Sequence, residues 1–206
     1  VYNCMNVPLM SKPELEQSIG MSLGDKALLV TFHPATLDPV PVVERVRSLC
    51  EALDRFPDSK VLITYPNNDP QGRVIIDEIE RYASYWPGRV LTVPSLGRRR
   101  YLSALKCVSA VVGNSSSGII EVPSMGIPTV DIGIRQQGRI AAESVIHCDA
   151  DADSIADAIA RALVMDMSGI DNPYFRPDTV SRIADAIENT PVGQLRCKRF
   201  YDLPNV

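Results

Sequence analysis

The stretch Ala110-Val111-Val112-Gly113-Asn114-Ser115-Ser116-Ser117-Gly118 passes from a short apolar run into a polar turn bracketed by two glycines, and residues 118–125 behind it have helical character. A run this short and continuous reads as a strand buried on both faces. A strand that ends in such a turn and feeds a helix is half of a βαβ unit. The rhythm extends in both directions. Further apolar runs occupy residues 27–32, 61–65, 90–93, 129–132 and 145–148. Between the first two, residues 42–56 place Val43, Val46, Leu49, Cys50 and Leu53 at helical spacing, and residues 71–86 repeat the pattern with Ile75, Ile79 and Tyr82. Shorter helices are expected at 101–106 and 118–125, and a strongly periodic one at 154–165. Strand and helix in strict alternation predict an α/β fold: a Rossmann-like, doubly wound parallel sheet with strand order 3-2-1-4-5-6. The expected organisation is a lead-in over residues 1–25 with a short helix at 12–19 opened by Ser11 and Pro13, a nucleotide-binding domain over 26–166, and a helical tail over 167–206 punctuated by Pro173, Pro177, Pro191 and Pro204, with its helix at 179–188.

Composition narrows the function classes. Hydrophobic residues make up 45% and charged residues 22% of the chain, which excludes disorder as a whole-chain reading. A net charge of −4 argues against a nucleic-acid partner. No apolar run approaches a bilayer span and no secretory leader is visible, so no membrane partner is expected. The five cysteines, Cys4, Cys50, Cys107, Cys148 and Cys197, are scattered without a CxxC pair, and the expected compartment is cytoplasmic. Asp149, Asp151 and Asp153 resemble the start of a calcium loop, but Ser154 stands at the glycine position and Ala160 at the terminal glutamate position. No metal or other cofactor is expected. The Val1-Tyr2 start reads as a fragment of a longer protein, or a processed one.

Each apolar run ends in polar residues unusual for a plain turn: His33-Pro34, then Pro66-Asn67-Asn68-Asp69, then the serine run, then Gly133-Ile134-Arg135-Gln136-Gln137-Gly138-Arg139. In an open parallel sheet the carboxyl ends of the strands form the ligand crevice, centred where strand order reverses. With strands one and four adjacent, His33 faces the serine run across it. Exposed N–H groups of a small-residue turn at a positive helix end suit a pyrophosphate, and serine hydroxyls add donors. An ordinary serine cap is the plain alternative, yet three serines between two glycines exceed what a cap requires. Glu121, four residues after Ser117, could accept both hydroxyls of a ribose or simply stabilise the helix end. Imidazole suits proton transfer near neutral pH, which makes His33 the catalytic candidate; the other histidine, His147, lies near the end of the sixth run. Arg135 and Arg139 could neutralise phosphate or form a solvated, ion-paired loop. Arg98, Arg99 and Arg100 open a helix, where cations are unfavourable, and their role is open.

The stretch from Gly113 to Val130, followed by Gly133 to Arg139, resembles the hydrolysing UDP-N-acetylglucosamine 2-epimerases of sialic-acid biosynthesis. Thr31-Phe32-His33-Pro34-Ala35-Thr36 and Tyr65-Pro66-Asn67-Asn68-Asp69 resemble two further blocks of that family, in the same order. The resemblance runs from about Leu9 to the sixth strand. It implies the second lobe of a two-lobed GT-B fold, with the N-terminal lobe and most catalytic carboxylates missing from this chain. It implies that His33 is the active-site histidine and that Asn67, Ser115, Ser116, Glu121 and Arg135 hold UDP, with Ser117, Gly118 and Arg139 beside them. The family reaction converts UDP-N-acetylglucosamine and water to N-acetylmannosamine and UDP through a glycal-like intermediate. The resemblance further implies a UDP-sugar substrate, a homo-oligomeric full-length form, and an isolated lobe that binds UDP weakly and turns over nothing. Non-hydrolysing epimerases carry a block resembling Asp-Ser-Gly-Gly where this chain has Asn114-Ser115-Ser116-Ser117, which favours the hydrolysing branch. Relatives acting on UDP-diacetamido-trideoxyhexoses share these blocks. The donor lobe of a GT-B glycosyltransferase and a non-catalytic nucleotide-binding module are the competing readings.

Overall fold

The computed structural model describes residues 1–191 and 193; Cys197, Pro204 and the end of the expected tail lie outside the described residues. Among the described residues six parallel strands are present: β1 (Ala27–Thr31), β2 (Lys60–Thr64), β3 (Val90–Val93), β4 (Ala110–Gly113), β5 (Thr129–Ile132) and β6 (Val145–Cys148). They pair in the order β3-β2-β1-β4-β5-β6, as expected for the doubly wound fold. The helices are α1 (Tyr2–Met5), α2 (Lys12–Ile19), α3 (Val42–Asp54), α4 (Gly72–Tyr85), α5 (Gly97–Leu105), α6 (Ser116–Ile120), α7 (Ala152–Leu163) and α8 (Thr179–Asn189).

The sheet is sandwiched because its strands are apolar on both faces. Successive residues of a strand point to opposite sides. Leu28 and Val30 of β1 accordingly join a core with Val46, Leu49 and Leu53 of α3, Ile75 and Ile79 of α4, and Ile155 and Ile159 of α7. Ala27 and Leu29 point the other way, into a core with Leu15 of α2, Leu102 and Leu105 of α5, and Val122 and Met125. The lead-in expected to stand outside the domain is therefore part of it. Leu15 and Leu23 are fully buried, and the compact unit runs over Asn3–Phe175. The segment from Arg176 forms a second unit, in which α8 carries no buried residue.

Local chemistry explains the helix boundaries. Ser11 and Glu14 close a reciprocal capping box on α2. Asp151 caps α7 by accepting the Ser154 N–H at 2.9 Å, so the acidic lead-in serves as a helix start. The single helix expected over 118–125 is instead two pieces. α6 begins at Ser116 and stops at Ile120, and a 3₁₀ turn, Val122–Met125, follows. Pro123 has no N–H to continue the α-helical ladder, and Glu121 is left at the junction. α5 likewise starts at Gly97, four residues before the expected 101, so the arginine run occupies its first turn.

The centre of the sheet sets the site. Thr31 pairs with Gly113 across β1 and β4. Gly113 has φ +139°, and a Cβ there would lie 1.9 Å from the Thr31 carbonyl oxygen. Only glycine allows the two strand ends to meet this closely. Among the described residues no helix is long and apolar enough to cross a membrane, and no cluster of His, Cys, Asp and Glu is arranged to hold a metal ion.

Candidate functional site

Immediately beyond Thr31 and Gly113, two loops are locked together. The Asn114 side chain accepts the His33 N–H at 2.7 Å and returns a hydrogen bond to the His33 carbonyl at 2.8 Å. Asn114 is 1% exposed, so both bonds are made away from solvent. Its own carbonyl accepts from Arg135 Nη1 at 2.9 Å and from Gln136 Nε2 at 2.7 Å. One asparagine thus ties the loops after β1, β4 and β5 into a single frame.

Within that frame His33 is oriented as well as buried. The Asn67 N–H points at His33 Nδ1 from 3.3 Å. Nδ1 is therefore the acceptor, and the neutral ring carries its hydrogen on Nε2. Burial, then the nearby Arg135 charge, pushes the imidazole below its ordinary value, with Asp69 opposing. His33 is held as a neutral N–H donor.

His33, Asn67, Ser115, Ser117 and Glu121 line one cavity of about 490 Å³. Cys4, Arg98 and Tyr101 complete its wall with Pro94–Gly97 residues of the β3–α5 turn. The Ser115 side chain makes no capping bond, although it occupies the N-cap of α6. The ordinary-cap role that could have explained this serine is absent. Ser117 faces inward, donating to Glu121 Oε2 and lying 2.6 Å from the Tyr101 hydroxyl. Glu121 Oε1 accepts from the Cys4 thiol at 3.3 Å. Burial and the Glu121 carboxylate both raise the Cys4 thiol, keeping it protonated as that donor.

The remaining candidates lie elsewhere. Arg135 borders a larger cavity of about 1130 Å³, together with Asp69, Asn114 and the 34–41 loop, and acts on His33 through its charge. Ser116 lies in the first turn of α6 and borders neither cavity. Gly118 is buried against β5: a Cβ there would lie 2.7 Å from Thr129 Cγ2, so this glycine serves helix–sheet packing. Arg139 is exposed and borders neither cavity. The arginine run divides three ways. Arg98 lines the smaller cavity, Arg99 Nε donates to the Pro8 carbonyl at 3.0 Å, and Arg100 Nε donates to the Leu96 carbonyl at 2.8 Å.

Sequence reading did not select Tyr101 or Cys4. Tyr101 could have been sought as the one aromatic residue of the helix that follows β3, whose carboxyl end lies on the crevice side of the sheet. Cys4 left no signal, being 117 residues from its partner.

Comparison with known proteins follows the same outline. The family model described as UDP-N-acetylglucosamine 2-epimerase matches residues 3–188. The chain is 31% identical over 199 residues to the UDP-N-acetylglucosamine 2-epimerase of Neisseria meningitidis, covering 95% of this chain and 52% of that protein. It is 31% identical over 144 residues to the GDP/UDP-N,N'-diacetylbacillosamine 2-epimerase (hydrolyzing) of Campylobacter jejuni, covering 70% of this chain and 38% of that one. The chain thus spans about half or less of these relatives' length. In fold it resembles the structure of the UDP-GlcNAc 2-epimerase from Methanocaldococcus jannaschii, with a TM-score of 0.65 at 14% identity over 85% of this chain and 49% of the other. A six-stranded doubly wound sheet, a shared frame of loops at its switch point and a family match over most of its length lead to one conclusion: the chain belongs to the UDP-N-acetylglucosamine 2-epimerase family.

Proposed function

We propose that this chain is the UDP-binding lobe of a hydrolysing UDP-N-acetylglucosamine 2-epimerase, whose full-length form converts UDP-N-acetylglucosamine and water to N-acetylmannosamine and UDP. The observation that carries the reading is the convergence of His33, Asn67, Ser115 and the Glu121 carboxylate on one cavity at the sheet's switch point. The Asn114-Ser115-Ser116-Ser117 block supports the hydrolysing branch, as does a relative whose name carries that word.

On this reading Glu121 accepts the ribose hydroxyls. The Ser115 hydroxyl, which makes no capping bond, and the N–H groups of its turn receive the diphosphate, with Arg98 and Arg135 supplying positive charge. A carboxylate of the absent lobe removes the proton at C2. The C1–O bond breaks, its electron pair leaves with UDP, and a C1–C2 double bond forms. The Nε2–H of neutral His33 donates to the departing phosphate oxygen, where negative charge develops. Water then adds at C1 while a proton enters C2 from the opposite face. Closure of the two lobes admits the reacting water and excludes the rest. The full-length enzyme is expected to be a cytoplasmic homo-oligomer.

The test incubates the full-length parent with UDP-N-acetylglucosamine in deuterated water under proton NMR. Free UDP together with N-acetylmannosamine deuterated at C2 is the expected result. Intact UDP-sugar without UDP release would reject the hydrolysing reaction. In the isolated lobe, Glu121→Ala should weaken UDP binding by roughly 1–3 kcal/mol, the worth of charge-assisted hydrogen bonds. Unchanged affinity in a folded variant would remove Glu121 from the nucleotide site.

A further inference from the structure

The carboxylate of Glu121 stands at the end of a hydrogen-bond chain whose direction the atoms dictate. A serine hydroxyl has one hydrogen, and Ser117 donates its hydrogen to Glu121 Oε2. The Tyr101 hydroxyl lies 2.6 Å from the same Ser117 oxygen, so Tyr101 must be the donor in that contact. Burial pushes the Tyr101 phenol up to about 12, so it keeps the hydrogen that it gives. The chain therefore runs from Tyr101 to Ser117 to Glu121, each donor polarising the next, and ends on a charge. The second carboxylate oxygen, Oε1, accepts the weak thiol donor of Cys4 at 3.3 Å. All four residues line the cavity of about 490 Å³. With Oε2 held from the protein side, Oε1 is the oxygen left to take a strong donor from a ligand.

We infer that Tyr101 is a positioning residue for nucleotide recognition: acting through Ser117, its hydroxyl fixes the Glu121 carboxylate so that it selects a nucleoside diphosphate carrying a ribose diol. The inference rests on the nucleotide reading proposed above and adds a residue and a selectivity to it. It also assigns Ser117 away from the diphosphate. Its only hydrogen is committed to Glu121, and phosphate donation falls to Ser115 and the backbone of the turn.

Isothermal titration calorimetry on the wild-type chain, Tyr101→Phe, Ser117→Ala and the double variant, with UDP and with 2′,3′-dideoxy-UDP, tests this. Tyr101→Phe keeps the ring as a wall of the cavity and removes only the hydroxyl. It should weaken UDP binding by about fivefold, the worth of one hydrogen bond, while leaving the dideoxy ligand within about twofold of wild type. Ser117→Ala should narrow the same preference, and the double variant should lose no more than Ser117→Ala alone, because the relay is already cut. Equal weakening of both ligands, or no weakening of UDP in a variant that melts like wild type, would overturn the relay while leaving the nucleotide site in place. A wild-type chain that binds neither ligand would instead remove the nucleotide reading, and the relay with it.

Discussion

Replacing Asn114 by alanine tests whether the site's frame is structural capital or decoration. The substitution deletes two side-chain bonds, at 2.7 and 2.8 Å, and leaves the His33 N–H and carbonyl without those partners. His33 is 5% and Asn114 1% exposed, so water does not replace the lost partners without the loops opening. Leaving a buried backbone group unsatisfied costs about 1–3 kcal/mol, so two such groups cost roughly 3–5 kcal/mol after partial relaxation. The chain's single tryptophan, Trp86, follows α4 in the large unit, and its fluorescence in urea reports the unfolding of that unit. With a urea slope of ~2 kcal/mol/M, the midpoint should fall by about 1.5–2.5 M at unchanged slope. Asn114→Asp keeps an acceptor for the His33 N–H but sets a carboxylate against the His33 carbonyl, and should rescue little. A midpoint shift below about 0.3 M for Asn114→Ala would refute the view that these bonds hold the β1 and β4 loops together.

NMR titration should place the His33 imidazole below its ordinary 6.5, and Arg135→Ala should move it upward by removing one of the two causes, burial remaining. Because the folded value is the lower one, the unfolded chain binds the proton more readily; His33's contribution to stability is complete above about pH 6.5 and is lost as pH falls through the folded value. A titration at or above 6.5, or one unmoved in Arg135→Ala, would contradict this electrostatic account. Gly113→Ala should abolish folding, since the new Cβ would meet the Thr31 oxygen at 1.9 Å, whereas Gly126→Ala, at φ +74° with nothing within 4 Å, should cost only ~1–2 kcal/mol on thermal or urea unfolding. Comparable losses at the two glycines would show that the close approach of β1 and β4 is not what Gly113 serves.

Much of the molecule was legible in the chain because strands buried on both faces leave continuous apolar runs, and amphipathic helices leave a stripe. The six strands fall within one residue of the apolar runs at 27–32, 61–65, 90–93, 110–113, 129–132 and 145–148, and their order is that of the doubly wound fold. Where boundaries differ from the apolar pattern, a local rule outweighs it. Pro123 announces the break between α6 and the 3₁₀ turn, yet the apolar spacing around it reads as one helix. The lead-in reads as detached because its apolar residues follow no strong period; Leu15, Met21 and Leu23 are buried by helices and strands far along the chain.

The candidate site divides along the same line. Places at strand ends marked His33, the serine turn and Arg135 in the sequence, because the carboxyl ends of parallel strands converge in any doubly wound sheet; Glu121 followed from its spacing to Ser117, and the role of Asn67 from the family resemblance. Which neighbours share a cavity, and what each hydrogen does, depended on three-dimensional packing. Only the folded chain brings Cys4 to Glu121, turns Ser117 from the turn's mouth toward Tyr101, and gives Gly118 to Thr129. Periodicity along a chain encodes which face of an element is buried, and so the layers of the fold. It carries no record of contacts between distant residues, and hydrogen-bond direction, burial of a titrating ring and the division of one motif between two cavities arise from those contacts alone.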